Sequence, residues 1–108
     1  MQTYNYRTET GTNFKVKFTS MMYPAVKKRH GVILEQELQS NPYNKEVLST
    51  CVFEMHKKAC DDHSEELVMS LQAINDFLEV DELLYIYTMV MLERGAVLTK
   101  RISPVKPS

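Results

Sequence analysis

The first 19 residues alternate with a period of two, and the rest of the chain does not. Phe14, Val16 and Phe18 alternate with Asn13, Lys15, Lys17 and Thr19; Tyr4, Tyr6 and Thr8 alternate with Asn5 and Arg7. That period sends successive side chains to opposite faces of a strand. Glu9-Thr10-Gly11 lies between the two runs. A three-residue hairpin loop places its last residue in the left-handed region, where Gly carries no Cβ penalty. The predicted register pairs Tyr6 with Phe14 and Tyr4 with Val16 on one face. Asn5, Arg7, Lys15 and Lys17 occupy the other. A lone hairpin is marginal in water, so the apolar face must pack on helices or on further strands.

Beyond residue 20 the spacing turns helical. Pro24 suits a first helical turn. Val26, His30, Ile33, Leu34 and Leu38 predict a helix over 24–39, with Gly31 inside it at a cost of about 1 kcal/mol relative to Ala. A short helix to His30 followed by a strand over 32–38 is the competing reading. Ser40 to Asn44 reads as a turn, with Asn44 capping a second helix. Val47, Leu48, Cys51, Val52, Met55 and Ala59 then form one apolar stripe. Asp62 and Glu65 have capping-box spacing, and Leu67, Val68, Leu71, Ile74, Phe77 and Leu78 are expected to give a third helix its face. Asp81 is expected to cap a fourth, Glu82 to Arg94, ended by Gly95.

The run Leu83 to Leu92 is apolar on every side apart from Thr88. Such a helix is central to a domain or lies in a subunit interface, although its β-branched and aromatic content also permits a strand. Ala96 to Ile102 is extended by propensity and offers a third strand to the hairpin. The fold class that follows is α+β: an N-terminal β-hairpin, with room for a C-terminal third strand, packed on three to four helices. At 108 residues the chain is one domain, with 1–103 expected to be globular and 104–108 a flexible tail.

Hydrophobic residues make up 44% and charged residues 25%, a globular balance that argues against disorder. The first seven residues contain no apolar core, so no secretory signal is expected. Leu83 to Leu92 is about half the length of a bilayer span, so no membrane association is expected. Cys51 and Cys60 have no disulfide-framework spacing, which fits reduced thiols in the cytoplasm.

The charges are segregated. Residues 1–31 hold six basic residues and one acidic; residues 32–99 hold four basic and thirteen acidic; residues 100–108 add three basic. Opposed fields on one small body steer partners and self-association. Lys27-Lys28-Arg29-His30 is the densest basic run, and with Arg7, Lys15 and Lys17 it offers one positive, partner-binding patch. Glu65, Glu66, Asp76, Glu79, Asp81 and Glu82 form the acidic counterpart.

Chemistry-bearing constellations are sparse. His56, Cys60 and His63 have zinc-competent side chains, and His56 and Cys60 share a helix face. The paired-cysteine signature of a structural zinc site is lacking, so no metal and no other cofactor is assigned. Gly11, Gly31 and Gly95 are too far apart for a phosphate loop. Neither cysteine sits in a nucleophile signature, so the chain does not read as an enzyme. The preferred expectation is a small cytoplasmic interaction or regulatory protein that binds and masks or bridges another macromolecule. Another protein is the favoured partner. A homodimer is expected, with Tyr85, Met89 and Met91 of the fourth helix at its interface. The second reading is a nucleic-acid-binding regulator using the basic hairpin face and Lys27–His30; a sequence pI of about 6.3 weighs against it. The third is a small metal-binding protein.

Overall fold

The period-two segment folds as the hairpin that its pattern specifies. In the computed structural model, which describes residues 2–92 and 102–105, strand β1 (Thr3–Arg7) pairs antiparallel with β2 (Asn13–Lys17). The register matches Tyr6 with Phe14 and Tyr4 with Val16. Gly11 closes the loop at φ +90°. All four apolar strand residues are buried, and the Tyr6 and Phe14 rings meet edge to face at 5.7 Å. A third strand, β3 (Ile102–Pro104), runs antiparallel to β1, giving the order β2-β1-β3. Pairing reaches Val105, whose N–H donates to the Thr3 carbonyl at 2.8 Å. The Gly95 cap and residues 96–101 lie outside the described residues.

Five helices lie between the hairpin and β3 among the described residues: α1 (Met22–His30), α2 (Leu34–Ser40), α3 (Lys45–His63), α4 (Leu71–Phe77) and α5 (Val80–Leu92). The fold is therefore α+β as expected. The single helix over 24–39 and the alternative strand over 32–38 are both replaced by a break at Gly31. Gly31 adopts φ +71° and its N–H returns to the Lys27 carbonyl at 2.9 Å, a left-handed C-cap. Four basic residues in the turn before it favour that end through the helix dipole. Ile33 then stands at an extended N-cap position and α2 begins.

Helix α3 is the centre of the molecule, packing against β2, α1, α4 and α5. Asn44 caps it, accepting from the Val47 N–H at 3.2 Å. Its stripe Val47, Leu48, Cys51, Val52, Met55 and Ala59 is buried as the sequence predicts. Each of the larger of these side chains contributes roughly 1.5–3 kcal/mol by leaving water. Helix α5 is not the centre: it buries Leu83, Ile86 and Val90, a single face, and leaves Tyr85, Met89 and Met91 half-buried against the core edge. It begins at Val80, before the Asp81 cap expected for it.

The predicted third helix is shorter than expected. Residues 64–70 are non-helical, and α4 starts only after Ser70, whose hydroxyl accepts from the Ala73 N–H at 3.1 Å. Leu67, Val68 and Phe77 are exposed, leaving Ile74 and Leu78 to bury the apolar face. Asp62 makes no capping box; it pairs with Lys17 and Lys58 instead.

Gly31 has open space around its Cα, so its demand is conformational alone. Gly31→Ala should cost about 1 kcal/mol in denaturant melts, and Gly31→Asn should cost less, because Asn tolerates the left-handed region. Equal stability of all three proteins would show that the break does not depend on that backbone conformation.

Candidate partner-binding site

Three elements meet around one buried imidazole. His56 projects from α3 and is wholly buried. Its Nδ1 lies 2.7 Å from the Lys15 carbonyl of β2. Its Nε2 receives the backbone N–H groups of Val68, at 3.0 Å, and Met69, at 3.4 Å. Two amide donors on Nε2 require a lone pair there, so the proton is on Nδ1 and is donated to Lys15. Burial pushes the imidazole pKa below its ordinary value, against an opposing effect of the Lys15 carbonyl. The Phe14 ring stands edge to face with it at 5.2 Å.

This geometry bears on the zinc-competent trio. Both His56 nitrogens are engaged by backbone. Cys60 Sγ lies 3.7 Å from His56 Nδ1 and donates to the Glu66 carbonyl at 3.5 Å, while His63 Nε2 stands 3.4 Å from Thr3 Oγ1. Among the described residues no cluster of His, Cys, Asp and Glu is arranged to hold a metal ion. Both cysteines are free and buried. Burial pushes the Cys51 thiol up to about 12 and raises Cys60 as well, so neither is a thiolate at neutral pH.

The basic residues divide into two groups. Arg7, Lys15 and Lys17 share the outer hairpin face, but Lys15 is ion-paired with Glu65 and Lys17 with Asp62. Lys58 reaches the same Asp62 at 3.1 Å. Hydrogen bonds from Lys17 and Lys58 hold the Asp62 carboxyl below the usual range, and one from Lys15 does the same for Glu65. The acidic cluster is divided too: Glu82 is buried and accepts from the Tyr6 hydroxyl at 2.6 Å.

Lys27, Lys28 and Arg29 stand apart from these pairings. They are exposed on α1, and among the described residues none of the three has an ion-pair partner. Two depressions flank them. A groove of about 510 Å³ between α1 and α3 is lined by Met21, Pro24, Ala25, Lys28 and Arg29 on one side and by Glu54 and Lys57 on the other. A more polar cleft of about 350 Å³ has Arg29 and His30 on one side and Ser49, Thr50 and Asn75 on the other. Thr50 Oγ1 donates to the Glu46 carbonyl and so accepts from His30 Nε2 at 2.8 Å; Ser49 donates to Asn75 at 3.0 Å. The sequence identified the cations. It gave no sign of the groove, which depends on how α1 lies on α3.

Removing His56 strands a carbonyl and two amide donors, each costing about 1–3 kcal/mol when buried and unpaired. His56→Leu should therefore lose about 3 kcal/mol or more in urea melts. Its lowered pKa also fixes a pH dependence. Above about pH 6.5 neither the folded nor the unfolded imidazole is charged, and its contribution is complete. As pH falls below that value the unfolded chain takes up a proton that the folded one refuses. Stability then drops, at a limiting slope of about 1.4 kcal/mol per pH unit, until the folded pKa is passed. His56→Gln should abolish that slope. The Asp62 and Glu65 pairs weaken only at lower pH, as it falls through their depressed values. A slope unchanged between pH 7.5 and 5.5 in His56→Gln would contradict the assignment.

No family model, curated protein or solved structure matches the chain, so its function is argued from its own residues and their placement.

Proposed function

We propose that the chain is a non-catalytic interaction or regulatory protein that binds and masks or bridges another macromolecule through the positive face of α1. The observation that carries this reading is the contrast between two sets of cations. The hairpin lysines Lys15 and Lys17 have carboxylate partners within the fold. Lys27, Lys28 and Arg29 have none among the described residues, and Lys28 and Arg29 line a groove with Met21, Pro24 and Ala25. Charged side chains of this kind set on-rate and orientation for an oppositely charged partner. Two buried free thiols suit a reducing cytoplasm, where we place its action. Among the described residues no helix is long and apolar enough to cross a membrane.

A protein partner is favoured over nucleic acid. A duplex would draw on the whole basic set, and the charge of Lys15 and Lys17 is already offset within the fold. Self-association through α5 belongs to the same reading. Tyr85, Met89 and Met91 lie half-buried along one helix, and aromatic and Met side chains are enriched at interfaces.

Replacing Lys27, Lys28 and Arg29 together with Glu should abolish recovery of the partner from the native host. It should also flatten the salt dependence of the interaction. Equal recovery of the same partner by wild type and triple variant would exclude this face. Sedimentation equilibrium at micromolar concentration should give twice the 12.6 kDa chain mass, and Tyr85→Glu with Met89→Glu should halve it. A monomer mass at every loading would exclude the dimer.

A further inference from the structure

We infer that the groove between α1 and α3 receives an acidic amphipathic segment of a partner protein, its apolar side chain against Met21, Pro24 and Ala25 and its carboxylates against Lys28 and Arg29. The inference rests on the reading of α1 as the partner-binding face and names the chemistry of that partner. Met21 is 61% exposed although its neighbour Met22 is wholly buried. Met21, Ala25 and Lys28 follow one another at four- and three-residue spacing, so they line one side of α1. The short side chain of Ala25 leaves a concavity between an adaptable thioether and an ammonium group.

The opposite wall comes from α3. Glu54 pairs with Lys57 at 3.2 Å, and the Lys57 ammonium also stands 5.5 Å from the centre of the Phe53 ring. Lys57 is thereby held against α3. The Glu54 side chain is only 11% exposed and already has its partner. Lys57 and Glu54 offset each other, which leaves Lys28 and Arg29 as the lining's uncompensated charges, so the complementary ligand is anionic. The Met, Pro and Ala side chains in the lining make the ligand apolar on one side as well. Nucleic acid lacks that second property: unpaired bases stack on aromatic side chains, and this lining has none.

The test uses the full chain and fluorescein-labelled synthetic peptides. One peptide is helical, with Leu and Phe on one face and Asp and Glu on the other; a second has the same composition in scrambled order. A labelled DNA duplex and vesicles containing phosphatidylserine serve as other polyanions. Anisotropy should show the amphipathic peptide bound at least about tenfold more tightly than its scramble. Met21→Gln with Ala25→Gln keeps the charge, and should remove that advantage while leaving weak, salt-sensitive binding. Lys28→Glu with Arg29→Glu should remove both. Thermal melts of each variant establish that it is folded, and the Met21 methyl resonance should shift on peptide addition. Equal binding of the two peptides, or tighter binding of duplex or vesicle, would overturn the amphipathic ligand while leaving α1 as a partner-binding face. Peptide binding unchanged by the Lys28→Glu, Arg29→Glu variant would overturn both.

Discussion

The structure depends on what one buried imidazole does for the backbone around it. Strand β2 is an edge strand of the sheet, and the Lys15 carbonyl points away from β1 to His56 of α3. Residues 64–69 follow the end of α3 and belong to neither helix nor sheet; the Ser64 and Glu65 amides return to α3 carbonyls, and those of Val68 and Met69 go to a side chain. His56 answers both needs from one side chain: a donor to the strand and an acceptor for Val68 and Met69. It thereby fixes the hairpin on the central helix and sets where α4 can begin. Only neutral imidazole offers one donor and one acceptor, and burial among Phe14 and the thiol of Cys60 favours the neutral form.

Charge then sorts the surface. The basic N-terminal segment and the acidic middle of the sequence partly fold onto each other, Lys15 on Glu65 and Lys17 on Asp62. These pairs are accessible to water and screened by salt, so they contribute little to stability individually. Their consequence is selective: they tie up Lys15 and Lys17, whereas Lys27, Lys28 and Arg29 have no ion-pair partner among the described residues. The same helix that carries those cations ends at Gly31, and their position in its last turn is favourable for the helix itself. A local stabilising role and a partner-binding role are compatible in these three residues.

What could be read from the sequence was local. The hairpin register was legible because alternation and Gly11 agree, and the α3 stripe because Asn44 and the apolar spacing agree. The break at Gly31 was signalled by the basic run before it, a C-terminal helix signature; treating Gly31 as an interior residue gave the apolar period too much weight. Leu67 and Val68 matched a helical face in spacing, yet the Val68 amide goes to His56, twelve residues earlier. That competition is tertiary and leaves no local trace. His56 was zinc-competent by residue type but not assigned to a metal, and spacing cannot distinguish an imidazole that binds backbone from one that binds zinc. The pairs Lys15–Glu65 and Tyr6–Glu82 join residues 50 and 76 positions apart. Composition therefore disclosed the basic set but not which of its members are free.

The central claim is that His56 is neutral at pH 7, protonated on Nδ1, with Nε2 accepting from the chain at Val68 and Met69. The most direct measurement is a long-range nitrogen–proton correlation spectrum of uniformly labelled protein at neutral pH. The account predicts a protonated Nδ1 and an unprotonated Nε2 for His56, with the Val68 and Met69 amides protected from hydrogen exchange. A proton on Nε2, or a charged ring at pH 7, would contradict it.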